Sequence, residues 1–264
     1  MCVSESRLVG AALLCSLALL AGWLYGAGAA LGADFRMENK VFAENAKEPV
    51  SQSTTVFYQG MVYDFMQDPE EAIVFDKAGG RFVVLDMRRR VRADLTTNDV
   101  AAFAQRLKQW AEGQKDPLVK FMAAPKFDEQ FESRGLKLTL SSPAMTYQIQ
   151  ASAADQTGEI AKQYREFSDW LAQLNAMLNP GGRLPFPRIA ANGALARRGL
   201  IPQVVILTIN PKQGSDAKPS SVRSEHQLAK SLSRTDLERT QAARQSMAAF
   251  KRVSFKEYRK TPQP

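Results

Sequence analysis

Alternating apolar and polar positions predict a run of antiparallel strands in the first half of the chain. The strands are predicted over residues 35–42, 54–66, 71–75, 81–86 and 89–95, with turns at 67–70 and 76–80. Gly79 and Gly80 suit the second turn because glycine adopts positive φ at no steric cost. Since the connections are short, consecutive strands are expected to pair antiparallel to one another.

The three predicted strands over residues 54–66, 71–75 and 81–86 carry apolar side chains on both faces. Taken as one strand, residues 54–66 present two apolar sets, with Val56, Tyr58 and Val62 on one face and Phe57, Met61, Tyr63 and Phe65 on the other. We therefore expect both faces of this part of the sheet to be covered. The strand at 89–95 instead alternates apolar with charged residues, which is typical of a half-solvated strand.

After residue 96, apolar residues recur at the spacing of an α-helix. A helix is predicted from Thr97 to Gly113, and a short second helix begins at Asp116 and Pro117. Strands follow near 136–141 and 145–150. The strongest helical pattern covers residues 156–179, with a stripe formed by Ile160, Tyr164, Phe167, Leu171, Leu174 and Leu178. We expect this stripe to pack on the sheet; the alternative is a coiled-coil seam.

The last third of the chain is more polar. A short helix through residues 190–195 and a buried strand at 204–209 precede a polar linker or hairpin from residue 211. A strand through His226 and a helix from Thr235 to about residue 252 complete the prediction, and this helix is expected to be mostly solvated or to lie on the rim of the domain. The predicted fold class is α+β: a curved antiparallel sheet, or half-barrel, covered by helices, with a long amphipathic helix and a basic C-terminal helix.

Residues 1–33 have the three-part layout of a signal peptide. Arg7 precedes an apolar stretch, and small residues follow, so cleavage is expected after Ala29 or after Ala33. The alternative is an uncleaved membrane anchor. The leader places the protein in the periplasm or outside the cell. Residues 34–210 then form the α+β domain, and residues 211–264 form a linker or hairpin and a basic helical segment packed on or near that domain.

Charge is concentrated at the C-terminal end of the chain. The formal net charge of the 264 residues is +8, and residues 212–264 alone hold twelve Lys or Arg against five Asp or Glu. In an exported protein such a segment favours an anionic envelope surface over nucleic acid as a partner. The alternative is that these charges serve solubility alone.

The residue inventory excludes several kinds of catalytic site. Both cysteines, Cys2 and Cys15, lie in the leader, and His226 is the single histidine. Disulfides, thiolate nucleophiles and zinc–thiolate sites are therefore excluded from the mature chain, and we expect no cofactor, no metal site and no enzymatic activity. A hydrolase that uses carboxylates from separate elements is the weaker alternative.

Two sets of residues are candidates for ligand contact. If the curved sheet encloses a cavity, the aromatic and methionine side chains that line it are expected among Phe57, Met61, Phe65, Phe82 and Tyr147. The alternative is that these side chains pack on the helices. Arg88, Arg90 and Arg92 share one face of an extended segment and are candidates for anion contact; the alternative is a solvated strand face.

The order of elements from residue 35 to residue 147 carries a resemblance to a known family. An antiparallel meander with hairpins such as the one spanning residues 74–86, followed by helices and further strands, resembles the periplasmic lipoprotein-carrier superfamily (LolA/LolB-like). The resemblance implies an incomplete barrel that wraps helices around an apolar cavity for acyl chains.

These observations predict an exported, non-enzymatic protein of the cell envelope that binds or carries a lipid or lipoprotein acyl chain. The alternative is a structural or interaction protein that its basic C-terminal segment holds at the envelope.

Overall fold

The computed structural model describes residues 32–44, 46–211 and 218–260. The leader predicted for residues 1–33 therefore falls, as far as residue 31, outside the described residues. The strands are β1 (Phe35–Ala43), β2 (Ser51–Tyr58), β3 (Met61–Met66), β4 (Glu71–Asp76), β5 (Arg81–Asp86), β6 (Val91–Thr96), β7 (Asp128–Glu132), β8 (Lys137–Ser141), β9 (Met145–Ala153), β10 (Leu200–Ile209), β11 (Ser220–Ala229) and β12 (Lys251–Arg252). The helices are α1 (Thr97–Glu112), α2 (Pro117–Ala123), α3 (Glu159–Leu178), α4 (Phe186–Ala196), α5 (Arg234–Ala249) and α6 (Phe255–Tyr258).

The twelve strands form one open sheet in the order β12-β6-β5-β4-β3-β2-β1-β11-β10-β9-β8-β7. Every neighbouring pair is antiparallel except β12 and β6. β1 pairs with β11, and the chain passes from β6 to β7 through α1 and α2 instead of through a hairpin. The predicted α+β class with a mostly antiparallel sheet is confirmed.

One face of the sheet, here called the α3 face, packs against α3. Phe35, Phe57, Phe75 and Phe82 from the strands form one buried cluster with the α3 residues Ile160, Tyr164, Phe167 and Leu174. The stripe predicted for this helix therefore packs on the sheet. On the same face, Leu138, Tyr147, Ile149 and Val205 form a second cluster with Ala191 and Leu195 of α4.

The opposite face of β2–β5, here called the α5 face, packs against α5. Val56, Tyr63, Phe65, Val74 and Leu85 form a buried cluster with Ala243, and Met247 and Phe250 pack against it. The prediction that both faces of these strands are covered is confirmed.

The prediction of one continuous strand over residues 54–66 is wrong. A two-residue turn divides it into β2 and β3, and both turn residues have positive φ, +51° at Gln59 and +74° at Gly60. Two-residue hairpins favour this backbone because its twist matches the strands. Across the turn Phe57 lies opposite Val62, so these two residues share a face that a continuous strand would not give them.

The C-terminal segment also differs from the prediction. The capping box of α5 is Ser233 with Asp236, in place of Thr235 with Glu238, and the helix ends at Ala249. After it, Phe250 packs on the α5 face, β12 lies on the edge strand β6, and Tyr258 is buried among the residues of the α3 face. The segment from Phe250 to Tyr258 thus passes around one edge of the sheet.

Among the described residues, no helix has both the length and the apolar character that crossing a membrane requires.

Candidate ligand-binding site

A cavity of about 520 Å³ lies at one end of the α3 face. The ends of β3, β4 and β5, the C-terminal half of α3, the loop after α3, and α6 surround it. Its lining residues are Met66, Pro69, Glu71, Ile73, Asp86, Arg88, Arg89, Ala172, Asn175, Ala176, Leu178, Asn179, Gly182, Arg183, Tyr258 and Arg259. The volume lies within the range of roughly 300–1,000 Å³ that small-molecule sites occupy.

The floor of the cavity is apolar because of how α3 is placed. Met66 and Ile73 come from the strands, and Leu178 comes from the end of α3. Ala172 and Ala176 are one helical turn apart and lie on the same side of α3. Their small side chains leave the space that larger residues at these positions would fill.

Two carboxyl groups line the wall, and both have partners. Glu71 of β4 lies opposite Asp86 of β5, and the Tyr258 hydroxyl donates to Glu71 Oε1 at 3.2 Å. Burial raises the pKa of the Glu71 carboxyl, and burial together with Glu71 raises the pKa of Tyr258. Asp86 accepts from the backbone N–H and from Nε of Arg89, both at 2.7 Å. Both oxygens of Asp86 are therefore occupied.

Arg89 connects two parts of the cavity wall, β5 and α6. Besides its pairing with Asp86, it donates to the Tyr258 carbonyl oxygen at 2.8 Å. Its guanidinium carbon lies 5.3 Å from the centre of the Tyr258 ring. Arg89 thus ties the turn after β5 to α6.

Three other arginines at the cavity lack such partners. Arg88 approaches Asp68 only at 3.9 Å, and both side chains are largely exposed. Neither Arg183 nor Arg259 forms an ion pair with a described carboxylate; the guanidinium of Arg259 lies 5.8 Å from the Phe255 ring centre. The cavity therefore combines an apolar floor with three guanidinium groups that lack a close ion pair with any carboxylate of the described residues.

The sequence-predicted arginine face does not form. Residues 87–90 make a turn, with φ at Arg90 of +53°, so β6 begins only at Val91. Arg88 lines the cavity, whereas the Arg90 guanidinium carbon lies 5.6 Å from the Phe250 ring centre. Arg92 donates to the Met247 carbonyl oxygen. Anion contact stays a prediction, and of the three candidates only Arg88 reaches the cavity.

The five apolar candidates fall into separate clusters. Phe57 stacks on Phe35 with ring centres 4.0 Å apart, and Phe82 stacks on Phe75 at 4.5 Å, so both fill the core under α3. Met61 and Phe65 lie on the α5 face. Tyr147 packs edge-on to Phe127, 5.9 Å between ring centres, in the cluster under α4. In the described part of the chain, the residues that line the cavity include none of these five.

Sequence reasoning missed most of the lining residues. Leu178 belongs to the predicted α3 stripe, and the small residues Ala172 and Ala176 beside that stripe are a local sign of space. Arg183, Tyr258 and Arg259 carry no local sign, because they reach the cavity only through tertiary packing.

A second polar feature, a chain of hydrogen bonds across four strands, lies on the α3 face. Ser224 Oγ is 3.0 Å from His226 Nε2, and His226 Nδ1 is 2.9 Å from Asn39 Oδ1. Asn39 Nδ2 donates to Thr55 Oγ1 at 3.0 Å, and Thr55 donates to the buried Asp64 at 2.6 Å. Because Asn39 Oδ1 can only accept, Nδ1 of His226 carries the proton and Nε2 accepts from Ser224.

The order Ser224, His226, Asn39 is that of a nucleophile, a base and an orienting group. Burial, with the nearby Arg188 guanidinium, lowers the pKa of His226 to about 3. An imidazole with so low a pKa is a poor proton acceptor at neutral pH. Both ring nitrogens of His226 have hydrogen-bond partners within the protein. We interpret this chain of hydrogen bonds as structural.

No protein-family model matches this chain, and no curated protein matches it.

Proposed function

We propose that this protein is a non-enzymatic binding protein that holds an acyl chain of a lipid or lipoprotein in the cavity beside α3. The observation that carries the proposal is the 520 Å³ space with its floor of Met66, Ile73, Leu178 and alanines. An apolar chain placed there leaves water, and the gain is about 0.8 kcal/mol for each buried CH₂ group.

The strand order supports a carrier-like half-barrel. It runs as an up-and-down meander from β6 back to β1 and on from β11 to β7, and the sheet is open, with β12 and β7 as its two edges. The incomplete barrel that the resemblance to the periplasmic lipoprotein carriers implies is part of the proposal, and the open sheet supports it. An exported location in the cell envelope, as the leader predicts, is part of the proposal.

The two carboxyl groups of the cavity do not favour a hydrolase. A pair of acid and base needs one carboxylate free to act on water or substrate. Both oxygens of Asp86 accept hydrogen bonds from Arg89, and Glu71 accepts from Tyr258. This arrangement supports a binding role over a catalytic one.

The alternative, attachment to an envelope surface through the basic C-terminal segment, has one observation in its favour. Lys251, Lys256 and Lys260 are exposed. Other cations of the segment contact the protein's own sheet, since Arg239 lies over Phe65 and Arg244 donates to the Tyr63 hydroxyl at 2.7 Å. Fewer charges are then left for a surface, and we rank this function second.

The test combines ligand detection with obstruction of the cavity. Protein purified from its own host is expected to carry lipid in native mass spectrometry, and a fluorescent fatty acid is expected to bind the delipidated protein. Ala172→Trp and Asn175→Trp place a large side chain in the cavity and should weaken probe binding by about tenfold or more.

Lys162→Trp is the matched control, because Lys162 is exposed on the same helix and does not line the cavity. It should bind the probe as the unmodified chain does. The absence of both co-purified lipid and probe binding, or equal binding by all three variants, would contradict the proposal.

A further inference from the structure

The cavity has an excess of positive charge that the proposed acyl chain does not explain. Of its four arginines, only Arg89 forms a close ion pair with a described carboxylate, that of Asp86 at 2.7 Å. The other carboxyl group, Glu71, accepts a hydrogen bond from the Tyr258 hydroxyl at 3.2 Å and forms no ion pair with an arginine of the described residues. Arg88, Arg183 and Arg259 are left without a described carboxylate close enough for a strong ion pair.

These three arginines come from three separate parts of the chain. Arg88 lies in the turn after β5, Arg183 in the loop between α3 and α4, and Arg259 directly after α6. All three line one cavity. Like charges that converge from unrelated elements repel one another, so an anion between them relieves this repulsion.

We infer that the ligand of this cavity is an anionic amphiphile, whose phosphate or carboxylate head group binds to Arg88, Arg183 and Arg259. This inference rests on the proposed function. The apolar part of the ligand lies on Met66, Ile73 and Leu178, and the head group lies toward the exposed guanidinium groups. Arginine suits this role because its planar fork of N–H donors matches the oxygens of phosphate and carboxylate.

The experiment compares three probes that separate the head group from the chain: dodecyl phosphate, dodecanol and inorganic phosphate. Calorimetric titration of the delipidated protein should give a Kd for dodecyl phosphate about tenfold or more below that for dodecanol, and weak binding of inorganic phosphate alone. The triple variant R88A/R183A/R259A should bind the two amphiphiles with nearly equal affinity.

A matched triple variant, R106A/R134A/R234A, removes the same charge from exposed positions that do not line the cavity. It should keep the preference for dodecyl phosphate. Circular dichroism of both triple variants should match that of the unmodified chain, since all the substituted side chains are on the surface.

Three results would overturn the inference, and they are distinguishable. Equal affinity for dodecyl phosphate and dodecanol in the unmodified chain would overturn the head-group assignment and leave the proposed function standing. Inorganic phosphate that binds as tightly as dodecyl phosphate, with no effect of Asn175→Trp, would show a site for free anions. Failure of both amphiphiles to bind would contradict the proposed function itself.

Discussion

Both faces of strands β2–β5 carry a buried cluster, but the helices that cover them contribute to this burial in different ways. On the α3 face, the helix presents a regular apolar stripe that includes Tyr164, Phe167 and Leu174. On the α5 face, the only buried apolar residue that the helix contributes is Ala243, with Met247 half-buried beside it.

Two arginines of α5 lie over aromatic rings of the α5 face. The Arg239 guanidinium carbon lies 4.4 Å from the centre of the Phe65 ring, and Arg244 lies 5.8 Å from that of Tyr63. Arginine buries its aliphatic stem along apolar surface while its charged end stays near water. A helix without apolar periodicity can therefore cover an aromatic sheet face, which is why the pattern predicted a mostly solvated helix.

The largest expected difference between the two faces concerns truncation of a core side chain. Phe167→Ala removes a side chain that is 3% exposed and packs edge-on against Phe57, so it should lower the free energy of unfolding by about 3–5 kcal/mol. Met247→Ala on the α5 face should cost only about 1 kcal/mol, because Met247 is half-buried. Urea unfolding measures both, and equal losses would contradict the contrast.

A second difference concerns pH, because the chain of hydrogen bonds through His226 lies on the α3 face. The pKa of His226 is about 3 in the folded protein against 6.5 for the free side chain. Between these values the unfolded state binds the proton and the folded state does not. Stability should therefore fall as the pH is lowered from 6.5 toward 3, with a slope of at most about 1.4 kcal/mol per pH unit from this group.

His226→Gln is the control for this pH dependence, because glutamine can still donate and accept but does not titrate. Unfolding free energies measured at a series of pH values should show a shallower slope in this variant. Identical slopes for the two proteins would rule out His226 as the source.

A third prediction separates the stem of Arg239 from its charge. Arg239→Ala removes both and should cost about 2 kcal/mol, whereas Arg239→Met keeps an unbranched apolar side chain and should cost about half as much. Arg234→Ala, at a position 92% exposed, should change stability by less than about 0.5 kcal/mol. If the alanine and methionine variants lose equal stability, the stem contributes nothing.

The smallest effect concerns the turn that assigns side chains to the two faces. Gly60→Ala places a Cβ at φ +74° and should destabilise the hairpin by about 1 kcal/mol. Gly113→Ala is the matched control, since Gly113 has φ −78° and a Cβ there meets only ordinary contacts, the nearest at 3.5 Å. Thermal unfolding should show a lower Tm for the first variant only.

The turn at Gln59 and Gly60 accounts for one error in the predicted set of cavity residues. The alternating pattern predicts a strand through Gln59 and Gly60, which puts Phe57 and Phe65 on one face. Because the side-chain period of a strand is two, the turn moves Phe65 to the α5 face, away from Phe57. The alanines of α3 can be recognised in the sequence as small residues beside the apolar stripe. No local pattern indicates that the arginines of the cavity meet there.

The sequence by itself determined the elements whose information is local. The capped start of α1 at Thr96, the start of α2 at Asp116 and Pro117, and the apolar stripe of α3 all follow from neighbouring residues. The lack of cysteine after Cys15 likewise excludes thiolate chemistry from the rest of the chain.

Only the tertiary structure decided which distant residues meet. The pairing of β1 with β11, the placement of Arg239 over the Phe65 ring, and the convergence of Arg88, Arg183 and Arg259 join residues far apart in the chain. Caps and apolar periodicity involve only neighbouring residues. They therefore do not specify which distant residues come into contact, since those contacts form through long-range packing.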